Sequence, residues 1–177
     1  HKFVFLSGPR QVGKTTFAKN LLREWQGPEN LRGRHYLNWD DDADREFLLS
    51  KKLPFSPGLV ILDEIHKYKR WRQLVKVLYD KRSDELEILV TGSARLDYYR
   101  RGGDSLQGRY HYYRLHPLSL KELGSQQQSD LEDLLRYGGF PEPFFAASES
   151  ETRRWSREYR SRILREDLRD LEKVNDI

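Results

Sequence analysis

Apolar residues in this chain follow two rhythms. Short continuous runs appear at Phe3-Val4-Phe5-Leu6, Leu59-Val60-Ile61-Leu62 and Leu86 to Val90. Runs of this length, rich in β-formers, are what strands buried on both faces look like. Between them the apolar positions fall three and four apart. Phe17, Leu21, Leu22 and Trp25 predict a helix over Thr15 to Trp25; Leu74, Val75, Leu78 and Tyr79 predict another over Trp71 to Arg82. Weaker patterns predict strands near Arg34 to Asn38 and His111 to Leu115, the latter closed by Pro117, and an acidic-fronted helix over Asp41 to Leu49. Lys52 to Gly58, with Pro54, Pro57 and Gly58, reads as a loop. Beyond Pro117 the strand pattern stops, and Leu118 to Gly124, Asp130 to Tyr137 and Glu149 to Leu171 all read as helices. Strands alternating with helices imply an α/β fold whose parallel sheet carries helices on both faces. The helical tail implies a smaller second unit, so we expect a core over 1–117 and a separate helical region over 118–177.

The first strand runs directly into Ser7-Gly8-Pro9-Arg10-Gln11-Val12-Gly13-Lys14-Thr15-Thr16. Gly8-x-x-x-x-Gly13-Lys14-Thr15 fits the phosphate-binding loop pattern in full, with the required strand before it and helix after it. Glycines permit backbone angles that turn successive N–H groups inward, making a nest for anionic oxygens, and a helix N-terminus adds unpaired donors. In such a loop Lys14 supplies a mobile charge for the β- and γ-phosphates, and the Thr15 hydroxyl is a ligand for Mg²⁺. Residues 8–16 are therefore the expected nucleotide cradle.

A second constellation follows the run Leu59 to Leu62, where Asp63 and Glu64 stand at the strand exit. An acid at that position holds the metal, which assigns Asp63, and a carboxylate at the next position is placed to activate water, which assigns Glu64. Two strands of one parallel sheet bring groups about 50 residues apart to a common carboxyl edge, where ligands bind in open α/β sheets. At the end of the next strand, Thr91-Gly92-Ser93 offers a hydroxyl to the γ-phosphate or the attacking water. We favour Ser93 over Thr91, because the glycine turn should carry it past the strand tip; a plain helix cap is the alternative.

Composition narrows this picture without changing it. The chain has 177 residues, 34% of them charged and 37% hydrophobic, and no apolar stretch long enough to span a bilayer. No Cys occurs, which removes disulfides and thiolate metal sites and fits a reducing, cytoplasmic compartment. Met is absent too, and the first strand begins almost at once, so we expect the natural start to lie upstream and His1 to be foreign to it. The net charge of +4 is a weak argument for a nucleic-acid partner, although Arg outnumbers Lys about two to one.

Several clusters carry more than one reading. Lys67-Tyr68-Lys69-Arg70-Trp71-Arg72 mixes cations with aromatics, which suits phosphate backbones and stacked bases, but also a solvated helix start or an intersubunit contact with Trp71 as a core anchor. Arg95, Tyr98, Tyr99, Arg100 and Arg101 raise the same question. Asp40, Asp41, Asp42 and Asp44 read as a helix start, because they lack the glycine and terminal Glu of a calcium loop. His35, His66, His111 and His116 have no metal-ligand spacing. The stripe Trp155, Tyr159, Ile163, Leu164, Leu168 and Leu171 is a packing face.

With these motifs in order, the chain resembles the AAA+ ATPases, and within them a group of prokaryotic AAA-type ATPases. The resemblance rests on Gly8 to Thr15, Leu62-Asp63-Glu64-Ile65-His66, Thr91-Gly92-Ser93, Ser105-Leu106-Gln107-Gly108-Arg109, Leu115-His116-Pro117-Leu118-Ser119 and Gly138-Gly139-Phe140-Pro141-Glu142. It implies a P-loop NTPase sheet, ATP with Mg²⁺ as cofactors, hydrolysis, a small helical lid that includes Gly138 to Glu142, and Arg109 as an arginine finger toward a neighbouring copy in a homo-oligomer. Adenine preference comes from the resemblance and not from a base-reading residue. It also implies a further C-terminal domain, where this chain ends at Asn175-Asp176-Ile177. Two rivals stay open: a nucleotide-gated binding module with negligible turnover, and a small-molecule kinase, which Glu64 beside Asp63 disfavours. A GTPase is disfavoured by the lack of an Asn-Lys-x-Asp motif.

Overall fold

A computed structural model describes residues 2–50, 54–92, 106, 108–124 and 127–164. The chain divides into two compact units, His1–His116 and Pro117–Ile177. In the first, strands β1 (Phe3–Ser7), β2 (Gly33–Asn38), β3 (Gly58–Asp63), β4 (Leu86–Thr91) and β5 (Tyr110–Arg114) alternate with helices α1 (Lys14–Glu24), α2 (Asp42–Leu49) and α3 (Trp71–Arg82). The strands form one sheet in the order β2-β3-β4-β1-β5, and every neighbouring pair is parallel. All carboxyl ends therefore share one edge, and β4 lies between β1 and β3 at that edge.

Side chains alternate across the strands and so build two cores. Phe3, Phe5, Val60, Leu62, Ile88 and Val90 join Leu48 of α2 and Trp71, Val75 and Leu78 of α3 on one face. Leu6, Leu59, Ile61 and Leu89 meet Ala18 of α1 on the other, with Leu21 and Leu22 packed against them. β3 is buried at all six positions because it receives helices on both faces. Each of its fully buried side chains contributes roughly 1.5–3 kcal/mol. The outer strands β2 and β5 are only partly buried and carry polar residues such as Arg34, His35, His111 and Arg114, which suits strands with an open edge. Rings add specificity: Phe5 stacks on Tyr110 at 4.2 Å and Phe3 meets Tyr79 edge-on at 5.1 Å.

The acidic run after β2 does what its composition predicts. Asp41 caps α2 by accepting from the Asp44 N–H at 3.1 Å, and the Asp44 carboxylate accepts from the Asn38 N–H at 2.9 Å. Trp71 is buried in the core at the first position of α3, so the core-anchor reading holds for it.

The second unit contains α4 (Leu120–Leu123), α5 (Gln128–Tyr137), α6 (Pro141–Ala146) and α7 (Glu149–Arg162). Ser119 and Glu122 close a capping box at α4. α5 ends at Gly138, whose positive φ of 80° suits a residue without Cβ. The Phe140 ring lies 4.8 Å from Trp155 and 5.0 Å from Tyr159, which stack on each other at 4.6 Å. Trp155 and Tyr159 pack as expected of this helix, whereas Leu164 of the same stripe is exposed and Leu168 and Leu171 lie outside the described residues. α6 has no counterpart among the sequence expectations. No helix among the described residues is long and apolar enough to cross a membrane.

Candidate nucleotide site

The loop between β1 and α1 is shaped by its glycines. Gly8 has φ 150°, and a Cβ there would lie 2.3 Å from the Leu115 carbonyl oxygen. Gly13 has φ 100° and stands at the N-cap of α1, so that cap supplies no side-chain acceptor, and no acid occupies the first turn. α2 and α4, by contrast, are both capped by side chains and acidic in their first turns. A helix start with neither a capping side chain nor an acid in its first turn is one that an anion suits. Lys14 is nearly buried; its ammonium donates to the Gly8 carbonyl at 3.1 Å and the Pro9 carbonyl at 2.7 Å. The cation is curled over the loop that its own chain forms. Val12 anchors the loop in the protein, while Thr15 and Thr16 are exposed.

Asp63 is the centre of the arrangement. It is 1% exposed, and a buried carboxylate must be satisfied by donors. Thr15 Oγ1 donates to its Oδ2 at 2.8 Å, the Tyr36 hydroxyl donates to the same oxygen at 2.6 Å, and Thr91 Oγ1 donates to Oδ1. The donors come from α1, β2 and β4, so the strand order gathers them around the tip of β3. Burial first, and the hydrogen bond to Asp63 second, push the Tyr36 phenol above its ordinary value of 10.0. It therefore stays protonated and remains a donor. The Thr15 hydroxyl and the Asp63 carboxylate are hard oxygen groups of the kind Mg²⁺ takes, and the glycine-capped α1 terminus with Lys14 fits a phosphate chain. The residues present thus fit a nucleotide with its divalent cation.

Glu64 follows with φ 56°. A non-glycine residue held in this left-handed region costs of order 1–3 kcal/mol, and such strain gathers at functional sites. Of the three non-glycine residues with positive φ among the described residues, Gln11 and Glu64 belong to the two loops of this site. The Glu64 Oε2 atom lies 3.5 Å from Lys67 Nζ and 3.8 Å from Nε2 of the buried His66. Lys67 also holds Asp40 Oδ2 at 2.5 Å. Burial raises the Glu64 carboxyl above its ordinary 4.5, and the Lys67 charge works against that rise.

The candidate residues separate into three groups. Gly8, Pro9, Arg10, Gln11, Val12 and Gly13 of the β1–α1 loop, Lys14, Thr15 and Thr16 of the first turn of α1, and Asp63 and Glu64 at the tip of β3 all lie at the carboxyl edge. Ser93 lies outside the described residues. Arg109 precedes β5 and accepts a hydrogen bond from the Phe3 N–H through its carbonyl, which puts it at the amino edge. There it reaches Asp80 at 3.2 Å and covers the Tyr79 ring at 5.6 Å. It does not join the loop of its own chain. Tyr36 and Thr91 both donate to Asp63; the sequence points to neither as its partner and favours Ser93 over Thr91 as the γ-phosphate hydroxyl.

A family model described as "AAA domain" matches residues 1–124. Uncharacterized proteins of Mycobacterium tuberculosis and Mycobacterium bovis are each 29% identical over 170 residues, which is 95% of this chain and 36% of theirs. An uncharacterized protein of Haemophilus influenzae is 31% identical over 159 residues, covering 77% of this chain and 38% of its own. The chain thus spans little more than a third of the curated relatives it matches. Among solved structures, Caenorhabditis elegans PCH-2 is similar with a TM-score of 0.43 and 18% identity, over 77% of this chain and 40% of that one. With the matched segment running from the phosphate-binding loop through β5 and into α4, the chain belongs to the AAA domain family and is a nucleotide-binding domain of the AAA type.

Proposed function

We propose that this domain binds ATP with Mg²⁺ and hydrolyses it, driving a conformational change in a larger protein or assembly. The observation that carries the reading is the 2.8 Å hydrogen bond from Thr15 to Asp63, residues 48 apart in sequence. Two oxygen groups, one from the first turn of α1 and one from the tip of β3, converge beside Lys14 and the glycine-capped end of α1. In this reading Lys14 leaves the Gly8 and Pro9 carbonyls for the phosphates, and Thr15 and Asp63 hold the cation. Tyr36 and Thr91 orient Asp63 by donating to its two oxygens, and Glu64 takes a proton from the attacking water. Bound Mg²⁺ would supply charge neutralisation on the phosphate oxygens. Residues 1–117 form the ATPase core in this scheme and 118–177 its helical lid; Ser93 senses the γ-phosphate, and Arg109 serves a neighbouring copy.

Calorimetry tests the central step. Lys14→Ala should lose measurable ATP·Mg²⁺ binding while its far-UV circular dichroism stays that of the parent. An unchanged affinity would remove the proposal. A second reading, a nucleotide-gated module with negligible turnover, is favoured by one observation: Lys67 already engages Glu64. Phosphate release by the parent protein above the rate of Glu64→Gln decides between them.

A further inference from the structure

The carboxyl edge carries a second feature beside the phosphate loop. Trp39 leaves β2, and Tyr68 follows the short 3₁₀ turn Ile65–Lys67 after β3. Their rings stack at 4.7 Å with 21° between planes. With Lys67, Lys69 and Arg70 they line a cavity of about 440 Å³. Lys67, Lys69 and Arg70 are exposed, and Trp39 and Tyr68 are half-buried. The parallel register of β2 and β3, which pairs Asn38 with Asp63, brings the two aromatic loops together.

We propose that this pocket binds single-stranded nucleic acid and that strand binding is linked to Glu64 through Lys67. The aromatic pair decides among anionic partners. An acidic peptide or free phosphate would use the cations alone; both rings pack partly on the core, and only a ligand with a π-face uses what they leave exposed. A duplex keeps its bases stacked inside and presents phosphates alone. A single strand offers both a π-face for Trp39 and a backbone for Lys69 and Arg70. The link follows from one shared residue: Lys67 lines the pocket, and its Nζ lies 2.5 Å from Asp40 and 3.5 Å from Glu64. A strand phosphate that draws Lys67 outward loosens its hold on Glu64. The second half of the proposal rests on the reading of Glu64 as the residue that activates water.

The test is fluorescence anisotropy of a fluorescein-labelled oligodeoxythymidylate about 15 nucleotides long, titrated with the full chain without ATP. Binding is expected, and it should weaken as salt rises. Lys69→Ala with Arg70→Ala changes two exposed side chains and should flatten the log–log salt slope by about 1.4, near 0.7 for each cation removed. Trp39→Leu keeps apolar packing but loses the stacking face, and should weaken binding roughly 10- to 100-fold. A duplex of equal length should be indifferent to Trp39→Leu. Absence of strand binding overturns the proposal. So does full affinity in Trp39→Leu, or equal affinity for polyglutamate or for a mononucleotide.

Phosphate release with and without the strand tests the link. The parental rate should change at least about twofold, given a general base worth 10² or more, and Lys67→Ala should not respond. A strand that binds at Trp39 while leaving a measurable rate unmoved overturns the link alone. Lack of hydrolysis under every condition overturns the ATPase reading and the link that rests on it, while the anisotropy still decides strand binding.

Discussion

At the scale of single residues, the site is a contrast between two adjacent carboxylates. Asp63 is buried and held by three hydroxyls, whereas Glu64 is strained, partly open, and opposed by Lys67. Ligand duty suits the first and proton transfer the second, because only a group that is not saturated with donors can accept a proton from water. Glu64→Gln should therefore keep ATP affinity and lose turnover by roughly 10²–10⁴-fold, a typical contribution of a general base. Equal turnover would move that role to another residue. The same variant has a stability signature in the metal-free protein. Burial raises the Glu64 carboxyl above 4.5 in the folded state, so the fold binds a proton the unfolded chain has released. Stability from this group is complete below pH 4.5, and is lost as pH rises through the folded value. Glu64→Gln carries no such penalty and should melt above the parent at neutral pH, with the gap closing toward pH 4.5. A gap that is independent of pH would contradict the assignment.

At the scale of elements, two glycines with similar backbone angles do different jobs. Gly8 lies in the phosphate loop, against the carbonyl of Leu115; Gly58 opens β3, where a Cβ would lie 2.0 Å from the Gly33 oxygen. Both have φ near +150°, which other residues avoid. Gly58→Ala should cost of order 1–3 kcal/mol or more in denaturant unfolding, through the β2–β3 pairing, yet leave ATP affinity intact while folded. Gly8→Ala should instead lose nucleotide, because the clash distorts the cradle itself. Loss of ATP binding in both, at matched folded fractions, would deny this division. β1, β3 and β4 were legible in sequence because each carries an apolar run, whereas the more polar β2 and β5 at the sheet's margins gave only weaker patterns. The two loops were legible because their chemistry is packed into consecutive residues. Tyr36 was not, since it is one of 10 tyrosines and touches Asp63 only through strand register. Sequence favours Ser93, which the glycine turn should carry past the strand tip; the burial of Thr91 against Asp63 is a tertiary contact that no local pattern announces. α6 is too short for periodicity to register. Its signal was Pro141 at the first turn followed by Glu142, a helix-start pattern.

At the scale of the whole molecule, Arg109 sets the problem. It precedes β5 at the amino edge, and the loop of its own chain follows β1 at the carboxyl edge. Five residues of strand separate these edges, roughly 16 Å at 3.3 Å per residue. Its ion-pair partner Asp80 is exposed and its other neighbour is the half-buried ring of Tyr79, and a solvent-facing ion pair of this kind adds little to stability. Arg109→Ala should therefore fold normally and bind ATP as the parent does. If the arginine meets the phosphates of a second copy, hydrolysis per chain should rise with protein concentration, and Arg109→Ala should lose up to 10³–10⁵-fold in turnover, the range an arginine finger contributes. Contact of one copy's amino edge with another's carboxyl edge is head-to-tail, and it closes into a ring when the rotation permits. Mixing Arg109→Ala with Lys14→Ala gives the sharper test. Each variant lacks a different half of the composite site, so some mixed interfaces join an intact loop to an intact arginine. Activity recovered on mixing places Arg109 in trans. A parental rate that is independent of concentration, with no recovery on mixing, removes Arg109 from the reaction and leaves it the surface partner of Asp80.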